Sequence, residues 1–149
     1  MLNNMIMDYE KNELYKKYYD KDDGEHYTFI FYNNDKDVNL IESSISGIVS
    51  IWNFHSGQLT NKIKLANEII LKILSVCLWD NNYLFAGCNN GCIKLIDIKN
   101  GNVVKNLEGD NNIVLTIKKI SHPKCGECII SKGFKEDQIK LWILKNKNI

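Results

Sequence analysis

The chain has 149 residues, of which 44% are hydrophobic and 25% charged, a composition typical of one soluble globular domain. Its 19 basic residues are all lysines and are balanced by 18 acidic residues, so the net charge is only +1. A nucleic-acid-binding domain normally carries a clustered basic surplus, often with arginine, and we therefore expect no nucleic-acid partner.

Export and membrane insertion are also disfavoured by the sequence. The first ten residues contain acidic and amide side chains, whereas a secretory signal needs a basic start and an unbroken apolar run. The most apolar stretch, residues 69–79, is too short to cross a bilayer and predicts a buried strand with its lead-in, so we expect no membrane partner. Five cysteines without a signal fit a reducing compartment. We expect a cytoplasmic protein, and the composition does not exclude the nucleus.

An internal repeat organises the chain. Residues 47–57 align without a gap on residues 91–101, an offset of 44. A third copy at residues 137–143 puts Trp142 in the register of Trp52 and Ile96, and a weaker copy opens the chain at residues 5–18. A period of this length predicts a repeat fold, in which each period is one structural unit.

Within each period, short β-branched or aromatic runs alternate with Asn, Asp and Gly, which is the chemistry of strands and turns. In the second complete period the predicted strands span residues 74–79, 83–88, 92–98 and 102–107. We therefore predict an all-β fold of four-stranded antiparallel units. In chain order these are the third and fourth strands of one unit with a linker (1–24), two complete units (25–66 and 67–109) and a last unit without its fourth strand (110–149).

The repeat resembles the WD-repeat β-propeller family over nearly the whole chain. The resemblance is carried by residues 93–97 and 139–142, which are similar to the family's third-strand motif, by residues 50–53, and by the Asn100-Gly101 turn. The Gly-His pair that usually precedes a blade is missing, and the turn aspartate before the third strand is kept only at Asp137. The resemblance therefore implies divergent blades, without a complete Asp-His-Ser-Trp network around Trp52.

The resemblance also implies an incomplete ring of about three blades and part of a preceding one. In the family the last blade is usually completed by a strand from the amino terminus, and this chain ends soon after a third strand and begins inside another. Propellers normally have about 4–8 blades, and three leave strand edges and the central channel exposed. We expect the chain to be the carboxy-terminal part of a longer propeller, or to complete one with another chain.

Cys125 and Cys128 have the spacing of half a zinc site, with His122 just upstream. A structural zinc needs four ligands, and the other candidates, Cys88 and Cys92, are predicted at the opposite end of a different blade. The sequence favours an ordinary glycine-containing turn here, and we expect no metal ligands and no cofactor.

No catalytic constellation accompanies the histidines. His26 and His55 are isolated from any serine, aspartate or paired carboxylate that recurs with them, so we predict surface positions and no enzymatic activity. Trp52 and Trp142 share a repeat register and are predicted in the core, whereas Trp79, at the end of a first strand, fits the core or the rim.

The leading functional hypothesis is a scaffold that binds other proteins or peptides, because blades present loops on a rigid face without any catalytic group. A second hypothesis is a recognition subunit of an enzyme complex, such as a ubiquitin ligase or an autophagy or signalling assembly. A third is a small metal-binding module that uses Cys125 and Cys128.

Partner contacts are predicted in the turns from second to third strands and in the connections between blades, which in the family line one face of the ring. These turns carry amides, acids and lysines and little apolar surface, which favours a polar protein or peptide partner. Residues 80–82 are predicted in a turn of the opposite face. The candidate partner-binding residues are Ser46, Asn89, Asn90, Asp110, Asn111, Lys135 and Glu136.

Overall fold

The computed structural model describes residues 4–8, 13–18, 25–33, 37–65, 71–109, 112–135 and 137–144, and all regular structure in these ranges is β. These residues include no helix that is long and apolar enough to cross a membrane. The strands are β1 (Asn4–Asp8), β2 (Glu13–Tyr18), β3 (His26–Asn33), β4 (Val38–Ser44), β5 (Ile48–Asn53), β6 (Leu59–Lys64), β7 (Ile73–Leu78), β8 (Tyr83–Cys88), β9 (Ile93–Asp97), β10 (Val103–Leu107), β11 (Val114–His122), β12 (Gly126–Gly133) and β13 (Lys140–Trp142).

The strands form separate antiparallel sheets in which sequence neighbours pair. β1 and β2 form a two-stranded sheet, β3 to β6 and β7 to β10 form two four-stranded sheets, and β11 to β13 form a three-stranded sheet. The all-β prediction is confirmed, and the predicted strands of the second complete period agree with β7 to β10 to within one residue at each end.

Burial follows the position of a strand in its sheet. The middle strands β4, β5, β8 and β9 are buried along most of their length, because neighbouring sheets cover both of their faces. β10, the last strand of its sheet, is almost wholly exposed. The polar turns predicted between strands have local side-chain caps: the Asp80 carboxylate accepts hydrogen bonds from the backbone N–H groups of Asn82 (2.8 Å) and Tyr83 (2.9 Å).

The core lies between stacked sheets. One buried cluster joins the β3–β6 sheet to the β7–β10 sheet through residues such as Ile41, Ile51 and Ile73. A second joins the β7–β10 sheet to the β11–β13 sheet through residues such as Phe85 and Ile129. Burial of apolar side chains between successive sheets therefore holds the described units together in chain order.

Strand pairing confirms the register read from the repeat. Trp52 pairs with Leu40, Ile96 with Leu84 and Trp142 with Ile129, so the three positions are structurally equivalent. Trp52 is 4% exposed, as predicted for a core residue. Trp142 is half-buried and packs against the second cluster.

Candidate protein-interaction surface

The turns between β4 and β5, β8 and β9, and β12 and β13 lie at the same end of their sheets. The first of them contacts the lead-in to the next sheet at Gly47. A Cβ atom on Gly47 would lie 2.6 Å from the backbone oxygen of Leu71, so this close approach requires glycine, as does its φ of +70°. The backbone oxygen of Gly47 also accepts a hydrogen bond from the N–H of Leu65 at 3.0 Å.

The contact continues along the rim of the next sheet. The Asn89 N–H donates to the backbone oxygen of Lys72 (3.0 Å), and the Lys72 N–H donates to the Asn89 side-chain oxygen (2.9 Å). Two residues further on, the backbone oxygen of Gly91 lies 2.5 Å from the position of a Cβ on Gly109. This turn is thus fastened both to its own sheet and to the connection that follows the sheet.

The third sheet completes the rim, where the Phe134 N–H donates to the backbone oxygen of Ile113 at 2.9 Å. Backbone contacts therefore link the turns of three consecutive sheets in one surface. We call it the turn face; it consists of residues 45–47, 71–72, 89–91, 109, 112–113 and 134–135.

The predicted partner-binding residues are distributed unevenly on the turn face. Ser46, Asn90 and Lys135 are exposed. Asn89 is half-buried, and its side chain is engaged in the hydrogen bond from Lys72, which gives it a structural role in the turn. Asp110, Asn111 and Glu136 lie outside the described residues.

Phe134 is an exposed aromatic residue of the turn face that sequence reasoning missed. Its side chain is 47% exposed, and the Lys135 ammonium lies 5.5 Å from its ring centroid. Lys135 has a φ of 58°, in the left-handed region, which turns the chain sharply after Phe134. An aromatic residue followed by polar turn residues was the available signal, and the expectation of little apolar surface overlooked it.

At the opposite end of the sheets, Lys119 connects the second sheet to the third. Its ammonium donates a 2.7 Å hydrogen bond to the backbone oxygen of Trp79, lies 4.8 Å from the Trp79 ring centroid and pairs with Glu127 at 2.8 Å. Trp79 is half-buried and meets Phe85 edge to face, with centroids 5.7 Å apart. These contacts place Trp79 at the margin of the core, where one side of the ring packs and the other carries a cation.

Cys125 and Cys128 belong to the hairpin between β11 and β12. Cys125 is half-buried in the turn, Cys128 is buried in β12, and the His122 Nδ1 accepts a hydrogen bond from the Lys124 N–H at 3.2 Å. Across the described ranges, no three His, Cys, Asp or Glu residues come together in a way that could hold a metal ion. The geometry is that of a tight turn.

Glu42 replaces a serine-like position beside Trp52. The Trp52 indole N–H donates to the Glu42 carboxylate at 2.8 Å, whereas at the equivalent position of the third sheet the Trp142 N–H donates to the Ser131 hydroxyl at 2.8 Å. The expected surface position of His26 is wrong, because its side chain is only 13% exposed and its Nδ1 lies 3.5 Å from the other Glu42 oxygen. His55 is exposed, as predicted.

Comparison with known proteins supports this architecture. No family model matches the chain. Over 112 residues, 73% of its length, the chain is 31% identical to the WD repeat-containing protein JIP5 of Vanderwaltozyma polyspora, and it spans 19% of that protein. The WD40 β-propeller domain of Doa1 is 16% identical, with a TM-score of 0.71 over 89% of this chain and 41% of the other. A chain of the mitotic checkpoint complex is 14% identical, with a TM-score of 0.72 over 97% of this chain and 41% of the other.

The stacked antiparallel sheets and these neighbours define consecutive blades of a β-propeller. With the similarity to JIP5 and the repeat register of Trp52, Ile96 and Trp142, the chain is a divergent set of blades that belongs to the WD-repeat family.

Proposed function

We propose that the chain is a protein-interaction scaffold without intrinsic catalysis, and that the turn face is its partner surface. The observation that carries the proposal is the continuous rim of backbone contacts, from Gly47 to Phe134, across three blades. Such a rim holds side chains from distant parts of the sequence in fixed positions. A preorganised surface loses little conformational freedom on binding, which favours recognition of another folded protein or peptide.

The side chains of the turn face suit a mostly polar partner with one aromatic anchor. Lys72, Asn90, Asn112 and Lys135 are exposed and supply charge and hydrogen-bonding groups. Phe134 supplies apolar area next to a cation, a combination that matches the aromatic and charged residues on which binding energy concentrates in interfaces. We expect the partner to cover Phe134 and to present acidic groups to the neighbouring lysines.

The test compares two triple variants of the tagged chain. The turn-face variant carries Lys72→Ala, Phe134→Ala and Lys135→Asn, in which asparagine tolerates the positive φ. The control carries Asn81→Ala, Lys99→Ala and Lys124→Ala, three exposed positions in turns at the opposite end of the blades. Both variants should unfold at the wild-type temperature. Proteins that co-purify with the wild type should be lost from the turn-face variant and kept by the control.

The opposite pattern, with partners lost only from the control, would assign the binding surface to the other end of the blades. Loss from both variants at unchanged stability would contradict a single binding face.

A recognition subunit of an enzyme complex is the second candidate function. It is favoured by the solved neighbour that belongs to a multiprotein assembly, the mitotic checkpoint complex. The same pair of variants separates the two candidates, because an enzyme subunit among the proteins lost from the turn-face variant supports the second. Its absence from that set supports the scaffold alone.

A further inference from the structure

Each sheet has two faces that the strand register makes comparable between blades. We call the face toward the preceding sheet the leading face and the face toward the following sheet the trailing face. Side chains alternate between the two along each strand, so strand pairing assigns every position to one face. Equivalent positions can then be compared between blades that have a neighbour and blades that lack one.

The trailing face of the third sheet exposes apolar residues whose equivalents are buried. Leu141 pairs with Ile130 as Ile51 pairs with Ile41 and Leu95 with Phe85. Ile51 and Leu95 are 4% and 0% exposed, because each lies in a cluster against the next sheet, whereas Leu141 is 45% exposed. Two residues earlier, Ile139 is 66% exposed, although its equivalents Val49 and Ile93 are both 0% exposed.

The leading face of the β3–β6 sheet shows the same contrast on its first strand. Phe29 pairs with Glu42 as Val76 pairs with Ala86 and Ile117 with Ser131. Val76 and Ile117 are each 5% exposed and pack against the preceding sheet, but Phe29 is 63% exposed. Phe31, next on this face, is 53% exposed.

The residues equivalent to Phe31 also contact a preceding sheet. In the second sheet this position is Leu78, which packs against the cluster shared with the β3–β6 sheet. In the third sheet it is Lys119, whose ammonium lies over the Trp79 ring of the second sheet. In both later blades the position is thus part of an interface, and in the first blade an aromatic side chain there is exposed.

We propose that a second copy of this chain covers both surfaces, with its leading face at Phe29 and Phe31 packed on the trailing face at Ile139 and Leu141. The contact repeats, between chains, the operation that already relates each sheet to the next within the chain. A head-to-tail contact of this kind closes into a ring when its rotation permits. Two copies bring together six sheets of three or four strands, which lies within the range of about 4–8 blades in propellers.

Both halves of the interface are present on one polypeptide, and this favours a second copy over a foreign partner. The exposed end of the third sheet is of the trailing kind, and the exposed end of the β3–β6 sheet is of the leading kind. Trailing and leading faces meet in both interfaces within the chain. Contiguous exposed apolar residues of this size are typical of association surfaces. The proposal concerns other residues than the turn face, so the two can fail separately.

The experiment uses two complementary variants of the complete chain and one control. Phe29→Thr with Phe31→Thr removes the leading surface, and Ile139→Thr with Leu141→Thr removes the trailing surface, in each case with a residue that favours strands. Val104→Thr is the matched control, since Val104 is 46% exposed on the outer strand β10. Circular dichroism and thermal unfolding show whether each variant is folded.

Light scattering from low to high micromolar concentration is expected to give twice the mass of one chain for the wild type and for the control. Each double variant alone should give the mass of one chain. An equimolar mixture of the two should form a 1:1 complex, because one intact leading surface meets one intact trailing surface.

A wild type with the mass of one chain at all concentrations would overturn the proposal and assign these surfaces to other strands. A dimeric wild type whose two variants do not restore the complex on mixing would also overturn it, because the contact would then not be head-to-tail.

Discussion

The indole N–H of Trp52 donates a 2.8 Å hydrogen bond to the carboxylate of Glu42, which is 2% exposed. Each residue stands opposite a different neighbour in the β4–β5 ladder, Trp52 opposite Leu40 and Glu42 opposite Ser50, so the bond runs diagonally across the sheet. A carboxylate can be kept in an apolar interior only with such partners. Glu42 therefore makes the interior of this blade depend on a polar contact that the second blade, with Ala86, does not have.

Trp52→Ala should lower the free energy of unfolding by about 3–5 kcal/mol, since it removes a large buried side chain. Lys99→Ala, at an exposed position in the turn after β9, should change it by less than about 0.5 kcal/mol. Urea unfolding of both variants measures the difference. Equal effects would contradict the register that places Trp52 in the core.

Glu42→Ala should cost about 1–3 kcal/mol of stability because it removes the acceptor of the Trp52 N–H from a buried site. Glu42→Gln keeps an oxygen at this position and should cost less. Thermal unfolding of the two variants at one pH provides the comparison. An equal loss in both would show that the charge of Glu42, and not its acceptor oxygen, stabilises the blade.

Gly87→Ala should destabilise by about 1–3 kcal/mol through overpacking. A Cβ on Gly87 would lie 2.5 Å from the Ser75 hydroxyl oxygen and 2.7 Å from a Val114 methyl group, at the interface of the second and third sheets. Ser75→Ala removes the nearer atom, so Gly87→Ala should cost less in that background. A double-mutant cycle tests this, and additive losses would show that the hydroxyl is not the obstacle.

Lys119→Ala should cost about 1–3 kcal/mol, because it removes a charged hydrogen bond to the Trp79 backbone and a cation–π contact. Glu127→Ala should change stability by less than about 0.5 kcal/mol, since the Glu127 carboxylate is 60% exposed and its ion pair is screened. Chemical denaturation at low and high salt separates the two. Equal losses would attribute the effect of Lys119 to its ion pair.

Cys77 should alkylate slowly at neutral pH. Burial raises the pKa of the Cys77 thiol above its ordinary value, an effect that the neighbouring Lys119 partly offsets. Because the folded pKa is the higher one, the unfolded thiol ionises first as pH rises, and this contribution to stability is lost through the alkaline range. Iodoacetamide labelling followed by peptide mass mapping should modify the half-buried Cys125 before Cys77. Early labelling of Cys77 in folded protein would contradict the closed second interface.

The sequence by itself determined the strands, their order and their register, because these depend on local features. The offset between residues 47–57 and 91–101, together with the alternation of side chains, is enough to assign Trp52, Ile96 and Trp142 to equivalent positions. The turn signals likewise placed Ser46, Asn90 and Lys135 in exposed turns. The identity of a turn residue and the period of a strand are both fixed by neighbours along the chain.

Only the tertiary structure decided which equivalent positions are buried and which polar groups meet. Ile93 and Ile139 occupy the same register, yet one is 0% and the other 66% exposed, because burial depends on whether another sheet stacks on that face. His26 and Glu42 come together across paired strands, and Asn89 is engaged by Lys72 from the start of its sheet. Such contacts depend on the three-dimensional stacking and pairing of strands that are distant in sequence, which the local pattern of residues does not specify.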